Sequence, residues 1–300
     1  MKTDITQLGA MVNDQHSLFL ANRQPLDPAG YAALWHFEEK WLHQQMGQMG
    51  QMGQLSAAVP QVNDFDGLQS AIVALCERSA AEAPPSVHFL AEQANRAQFA
   101  CMVRHFALDG LTEAQSFLAI VPRLPYEAQM PLIRILNDEF GCGNLQRMHS
   151  HLYRRLLDEL GAPVALEPYL ADGLEPVFEF VNVFHWMTKR ATRVEYFMGA
   201  LAWFESVVPI CFAPWMRACE RLGIVSHDYF SEHIHIDPYH AQAALLACRE
   251  TARCMPFDYG LAWQGVRLAA QITDRAFEAV VARARELPAL PGPTARGDGA

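Results

Sequence analysis

Three hundred residues with 51% hydrophobic content supply one large domain, or a domain with a small attachment, and enough apolar side chains for a sizeable core. General disorder is excluded on that composition. A formal net charge of −10 argues against nucleic acid or an anionic membrane surface as the main partner, because both demand a basic footprint.

In chain order, MKTDITQLGAM carries an early acid and no clean apolar stretch, so no signal peptide is expected. Asp27-Pro28 reads as a helix start, and Trp35, Phe37, Trp41 and Leu42 follow among charges. The repeat QMGQMGQMGQ, from Gln45 to Gln54, is glycine-rich and is expected to be a flexible linker. Residues 1–56 are therefore read as an N-terminal helical extension plus linker. From Asp64 to Ala284, apolar residues recur at three- and four-residue intervals. This predicts helices near 66–81, 88–107, 112–123, 126–140, 145–160, 175–185, 190–205, 210–222, 227–235, 238–253 and 261–284. Thr112 and Gln115 resemble a capping box. The window Tyr196 to Trp215 is the most apolar, but Glu205, Pro209 and Pro214 interrupt it, so a buried core helix is expected rather than a membrane span. No alternating β run stands out. The tail from Leu287, rich in Pro and Gly, is expected to be disordered. The fold class is all-α: a bundle over 57–286, with the extension before it and the tail 287–300 after it. Cys76, Cys101, Cys142, Cys211, Cys219, Cys248 and Cys254 show no CxxC spacing and read as reduced, mostly core thiols of a cytoplasmic protein.

Three stretches carry candidate chemistry. In HIHIDPYH, His233, Asp237 and His240 stand at i, i+4 and i+7, within about 60° of one another on a helix. Two imidazoles and a carboxylate on one stripe suit iron, manganese or zinc. Pro238 leaves a second reading open, in which Asp237 caps a helix that starts at the proline. His235 points away from the stripe. In the second stretch, Glu139 ends an apolar helix, Gly141 and Gly143 break the chain, and His149 opens the next helix ten residues on. Across a glycine break the two side chains can converge; the alternative is an ordinary glycine-capped helix end. The third is Glu205, a lone carboxylate in an apolar helix, costly unless paired, protonated or bound to a cation. Six such groups suit a di-iron site with positions open for O₂. No pair of ExxH motifs and no HExxH motif is present.

The order Glu139, His149, Glu205, then His233, Asp237 and His240 resembles the haem-oxygenase-like di-iron oxidases and oxygenases, the iron-containing redox enzyme family. The surroundings are similar too: Asn137-x-Glu139-x-Gly141, then His149-x-x-Leu152-Tyr153 leading to Leu160-Gly161. The resemblance spans roughly 65 to 284 and leaves out the extension and the QMG repeat. It implies a seven-helix haem-oxygenase-like bundle with iron ligands on three core helices. It also implies a labile third core helix, for which Pro238 offers a physical reason. The expected cofactor is iron, Fe(II)/Fe(III), two per chain, with O₂ as co-substrate. Glu205 is expected to bridge, with Glu139 as its catalytic companion, while Phe140, Trp203, Phe204 and Tyr239 exclude water. The expected reaction is N-oxygenation of a small amino-acid-derived substrate in a biosynthetic pathway. Oxidative C–C cleavage, decarboxylation or desaturation by the same site is the alternative. A metal-free enzyme similar to thiaminases or quinone-cofactor synthases is a reading of another class. The spacing of ten from Glu139 to His149 favours the N-oxygenating branch. The sequence offers no apolar stripe long enough for a fatty-acid tunnel. Expected partners are a small-molecule substrate, an external electron donor and a second copy in a homodimer, with no nucleic acid and no membrane.

Overall fold

The computed structural model describes residues 12–55 and 62–288, and no strand occurs among them. Two helices precede the bundle, α1 (Gln15–Asn22) and α2 (Pro28–Leu55). Asp14 and Ser17 form a capping box on α1, and Asp27 Oδ1 accepts from the Gly30 amide at 2.7 Å at the start of α2. The bundle follows with α3 (Phe65–Ala81), α4 (Pro85–His88), α5 (Arg96–His105), α6 (Ala107–Gly110), α7 (Tyr126–Glu139), α8 (His149–Glu159), α9 (Glu167–Asp172), α10 (Glu175–Lys189), α11 (Glu195–Leu222), α12 (Asp228–Cys254) and α13 (Tyr259–Arg285). The all-α class holds.

Several boundaries differ from the sequence periodicity, each for a local reason. The repeat is not a linker up to Leu55: α2 runs through it as one helix. Gln45 and Gln48, three residues apart, lie within about 60° of each other on the helix. Arg275 Nη2 donates to Gln45 Oε1 at 2.9 Å, Gln271 Nε2 to Gln45 Oε1 at 3.3 Å, and Arg267 Nη2 to the Met49 carbonyl at 2.9 Å. Trp41 Nε1 donates to Glu179 of α10 at 2.5 Å, and Glu38 pairs with Arg190. Leu18, Phe19, Leu34, Trp41 and Met49 belong to the same buried cluster as the bundle, so the extension shares its core. Residues 1–11, where no signal peptide is expected, and the tail from 289 lie outside the described residues; Leu287 and Pro288 accept hydrogen bonds from Gln98 and Asn95.

The stretch expected as one helix over 88–107 is broken: a π turn at Phe89–Gln93 is followed by Ala94 with ψ 127°, before α5 starts on an Asn95–Gln98 capping box. The capping box expected at Thr112 is absent. Thr112 Oγ1 donates to the Leu108 carbonyl instead, Ala114 sits at φ +58°, and a 3₁₀ run covers Gln115–Arg123. Conversely, the pairs 190–205 with 210–222, and 227–235 with 238–253, are single long helices, α11 and α12. Pro209, Pro214 and Pro238 sit inside them, and packing on both sides outweighs the missing amide donors. Asp237 is consequently not a helix cap.

α11 lies at the centre, packed against α12 and α13. It is long and apolar enough to cross a membrane by composition, yet 56% of its most apolar window is buried in the protein. α11 and α13 approach closely where glycines face backbone: a Cβ on Gly199 would collide with the Ala262 carbonyl, and one on Gly265 with the Tyr196 carbonyl. Gly199→Ala and Gly265→Ala should each lower stability by about 1–3 kcal/mol in urea unfolding. Gly47 of the repeat meets nothing within 4 Å, so in a helix Gly47→Ala should raise stability by about 0.5–1 kcal/mol, whereas in a linker it would be neutral.

Candidate metal centre

Glu139 is the last residue of α7 and His149 the first of α8. Between them Gly141, Cys142 and Gly143 take φ of +64°, +53° and +80°, a left-handed reversal that folds the second helix back on the first. A Cβ at Gly141 would stand 2.5 Å from the Met148 amide, so only glycine lets the turn close this tightly. Across it, His149 Nδ1 comes to 2.8 Å from Glu139 Oε2, the convergence that the glycine break predicts.

On α12, His233, Asp237 and His240 fall on one buried face, and His235 is exposed, as the stripe requires. His233 Nε2 lies 3.1 Å from His149 Nδ1. His240 Nδ1 is 3.4 Å from Glu139 Oε1, 3.4 Å from Glu205 Oε2 and 3.3 Å from Asp237 Oδ1. Glu205 is buried on α11 and pairs with His240; among the described residues no arginine reaches it. All six sequence-selected side chains therefore meet in one place, at most 7% exposed. They come from four helices, α7, α8, α11 and α12, rather than three.

The sequence reading missed Glu113, which follows α6 in the loop misread as a capping box. Its Oε1 is 3.0 Å from His233 Nε2, and Tyr229 donates to the same oxygen at 3.0 Å. The available signal was an acid pair, Asp109 and Glu113, in an otherwise apolar stretch, the same kind of anomaly that singled out Glu205. Two orienting groups were also missed. Asp138 Oδ2 stands 3.4 Å from His240 Nε2, and the Tyr229 carbonyl 2.5 Å from His233 Nδ1. Each engages the ring nitrogen remote from the centre and leaves the other facing it.

Two sets of ligand atoms lie mutually within 4.8 Å: Glu113, Glu139, His149 and His233 in one, Glu139, Asp237 and His240 in the other. Glu139 is common to both. Glu205, expected to bridge, belongs to neither set and reaches the second through His240. Separations near 3 Å are those of adjacent ligands held about 2.1 Å from one ion.

The polar atoms fit a cation. Glu113 Oε2, Glu139 Oε2, both Asp237 oxygens and His240 Nδ1 are buried with no hydrogen-bond partner; the His149 contact to Glu139 is close but not aligned as a hydrogen bond. Orphaned carboxylate oxygens of this kind are rare unless an ion takes them up. Protonation follows the same field. Burial opposes charge on His240, yet Asp237 and Glu205 raise its pKa to about 10, and Glu113 foremost among the carboxylates lifts His233 well above the usual range. Burial likewise opposes ionisation of Glu139, but His149, His233 and His240 hold it down at about 2. Burial pushes Glu205 up to about 7, reinforced by Asp237 and Glu139 and opposed by His240. Four carboxylates, those of Glu113, Glu139, Glu205 and Asp237, match the charge of two divalent ions.

A cavity of about 870 Å³ opens from Glu139, Glu205, His233 and Asp237 between the helices. Trp203 and Phe204 line it as expected, but Tyr239 is 62% exposed and Phe140 packs elsewhere in the core. The cysteines are all unpaired, though only Cys76, Cys219 and Cys248 are buried, so "mostly core" does not hold; Cys211 is exposed towards the cavity.

Residues 101–274 match the profile of the iron-containing redox enzymes. The chain belongs to the iron-containing redox enzyme family. It is also similar to a nitrosourea synthase of Streptomyces achromogenes subsp. streptozoticus, with 33% identity over 141 residues, which is 46% of this chain and 30% of that protein. The chain thus matches less than a third of that relative's length. The family match over residues 101–274 contains every residue of the candidate centre, from Glu113 to His240. An iron-containing redox enzyme is an oxidoreductase, in place of the metal-free reading.

In iron-free protein Glu205 makes stability depend on pH. Its folded pKa of about 7 exceeds the unfolded value near 4.5, so the native state holds the extra proton. The stability that proton contributes is present at low pH and lost as pH rises from about 4.5 through about 7. Glu205→Gln should remove that loss, so the variant's stability advantage over the parent should grow by roughly 1–3 kcal/mol between pH 5 and pH 8. Thermal melts of iron-free protein across that range check it; a constant difference would place the carboxylate in solvent.

Proposed function

We propose that this chain is a di-iron, O₂-dependent oxygenase that oxidises a nitrogen of a small amino-acid-derived substrate. The shared position of Glu139 between two ligand sets carries the count of two ions. Two ferrous ions there would supply electrons and open coordination positions for O₂.

The protein's own part can be derived from its side chains. Glu113, His149 and His233 would hold one ion, Asp237, His240 and Glu205 the other, with Glu139 between them. Asp138 and the Tyr229 carbonyl hold the two α12 histidines in the orientation that ligation needs. Tyr229 also fixes Glu113 by donating to Oε1. Glu205, poised near neutrality, is able to hold or release a proton at its carboxyl beside the substrate cavity. Phe180, Phe184, Trp203 and Phe204 wall that space and exclude bulk water from a reactive oxidant.

Nitrogen as the oxidised atom is supported by the similarity to a protein named for making a nitrosourea, a product with N–N and N–O bonds. Oxidative C–C cleavage, decarboxylation or desaturation would use the same ions with a different substrate pose. An external electron donor would return the ions to the ferrous state after each turnover.

Anaerobic Fe(II) titration followed by O₂ is the test. The parent protein should bind about two irons per chain and show a transient visible absorption on mixing with O₂. His240→Ala should retain about one iron and Glu139→Ala neither, because Glu139 serves both ions. Tight zinc binding without iron, or a single ion in the parent, would remove the proposal. With amino acids and amines as substrates, a product heavier by one oxygen and bearing N–OH supports N-oxygenation; release of CO₂ or an alkene favours the alternative.

A further inference from the structure

The cavity continues well beyond the ligands, along the groove between α11 and α13, and its remote wall carries carboxylates that the metal centre does not use. Asp274 and Glu278, one turn apart on α13, both line it. Asp274 is exposed to the cavity, and among the described residues no hydrogen bond or ion pair engages it. Glu278 accepts from Ser86 Oγ. Beside Asp274, Thr273 Oγ1 is buried without a partner. Trp203, 3% exposed and in the wall of the same cavity, has an unpartnered Nε1. The walls between are Phe180, Phe204, Val207, Val208, Ala270 and Phe277. A wide, mostly apolar space with unanswered polar atoms at both levels is built to receive a molecule that has polar ends and an apolar middle.

The charges in the remote wall are unbalanced. Arg217 is paired with Glu92 at 2.9 Å. Arg78 also lines the cavity, yet no cation offsets Asp274: burial and the neighbouring Glu278 carboxylate both raise its pKa. A ligand carboxylate placed here would add like charge in a poorly solvated space, whereas a ligand cation would neutralise it through a charge-assisted hydrogen bond. The position relative to the irons follows from helix geometry. Cys211 lines the same cavity as Asp274. Cys211 lies six residues beyond Glu205 on α11, an axial rise of about 9 Å.

We propose that Asp274, assisted by Glu278, anchors a cationic group of the substrate, an ammonium, amidine or guanidinium, remote from the oxidised atom and joined to it by an apolar chain. The anchor rests on the reading of this cavity as the oxygenase's substrate site. The substrate class narrows to cationic molecules with an apolar spacer, and long-chain acids are disfavoured.

Calorimetric binding of octylamine, octanol and octanoate to the iron-loaded protein near neutral pH tests the assignment. Octylamine should bind about tenfold or more tighter than octanol, and octanoate weakest of the three. Asp274→Asn should bring octylamine close to octanol while leaving octanol affinity and iron content unchanged; Glu278→Gln should give a smaller loss. Asp274→Lys should turn the preference towards octanoate, a gain that a misfolded variant cannot produce. A parent that prefers octanol or octanoate, or an Asp274→Asn protein that keeps the amine preference, overturns the anchor. Iron counted on the same samples separates the two claims. Amine preference without iron sinks the oxygenase reading and leaves the anchor, while two irons without amine preference do the reverse.

Discussion

Mutual repulsion among buried carboxylates is the constraint around which this bundle is arranged. Glu113, Glu139, Glu205 and Asp237 converge in a space walled by aromatic rings, where each ionised group forfeits several kcal/mol of hydration. Two imidazoles, those of His233 and His240, relieve part of this by drawing protons, but five carboxylate and imidazole atoms are left with nothing to bond. Bound cations, two of them on the proposed reading, would answer the charge and the orphaned atoms together. Asp138 and the Tyr229 carbonyl engage the outward nitrogens of His240 and His233, so the other ring nitrogens face the centre.

The same constraint acts on the backbone. α12 supplies three of the groups and includes Pro238, which cannot bond the Ile234 carbonyl. α11 supplies Glu205, and Pro209, four residues on, removes the donor that the Glu205 carbonyl would otherwise receive. Two of the four helices that supply the centre thus each lack one backbone hydrogen bond at the centre itself.

Much of this could be read from residue types and spacing, and the limits are instructive. Glu205 was legible because a lone acid in an apolar helix has no cheap explanation, and the α12 stripe because i, i+4 and i+7 define a face. Glu139 and His149 were legible as a pair through the glycines between them. Glu113 was not, since its neighbours imitate a capping box and the apolar spacing reads as a helix over 112–123, where an acid in the first turn is unremarkable. The QMG repeat misled for a different reason: intrinsic glycine propensity is a weak local effect, and the bonds from Arg267, Gln271 and Arg275 that override it come from residues more than two hundred positions away. The proline-containing helices were split on the same local grounds. The cavity left no stripe in the sequence because its wall is shared among α3, α10, α11 and α13, each giving a few residues. Which carboxylate stands between the ions is a matter of ångströms that no linear pattern encodes.

The glycine-built reversal between α7 and α8 ties two ligands to one short stretch of chain, while the far wall of the cavity is carried by α3, α4 and α13, which hold none of them. The candidate ligands and the far wall of the cavity therefore reside on separate parts of the scaffold. Cavity-facing side chains of α13 such as Asp274 and Glu278 could change without touching the residues of the candidate centre, so one centre could be combined with differently shaped cavities.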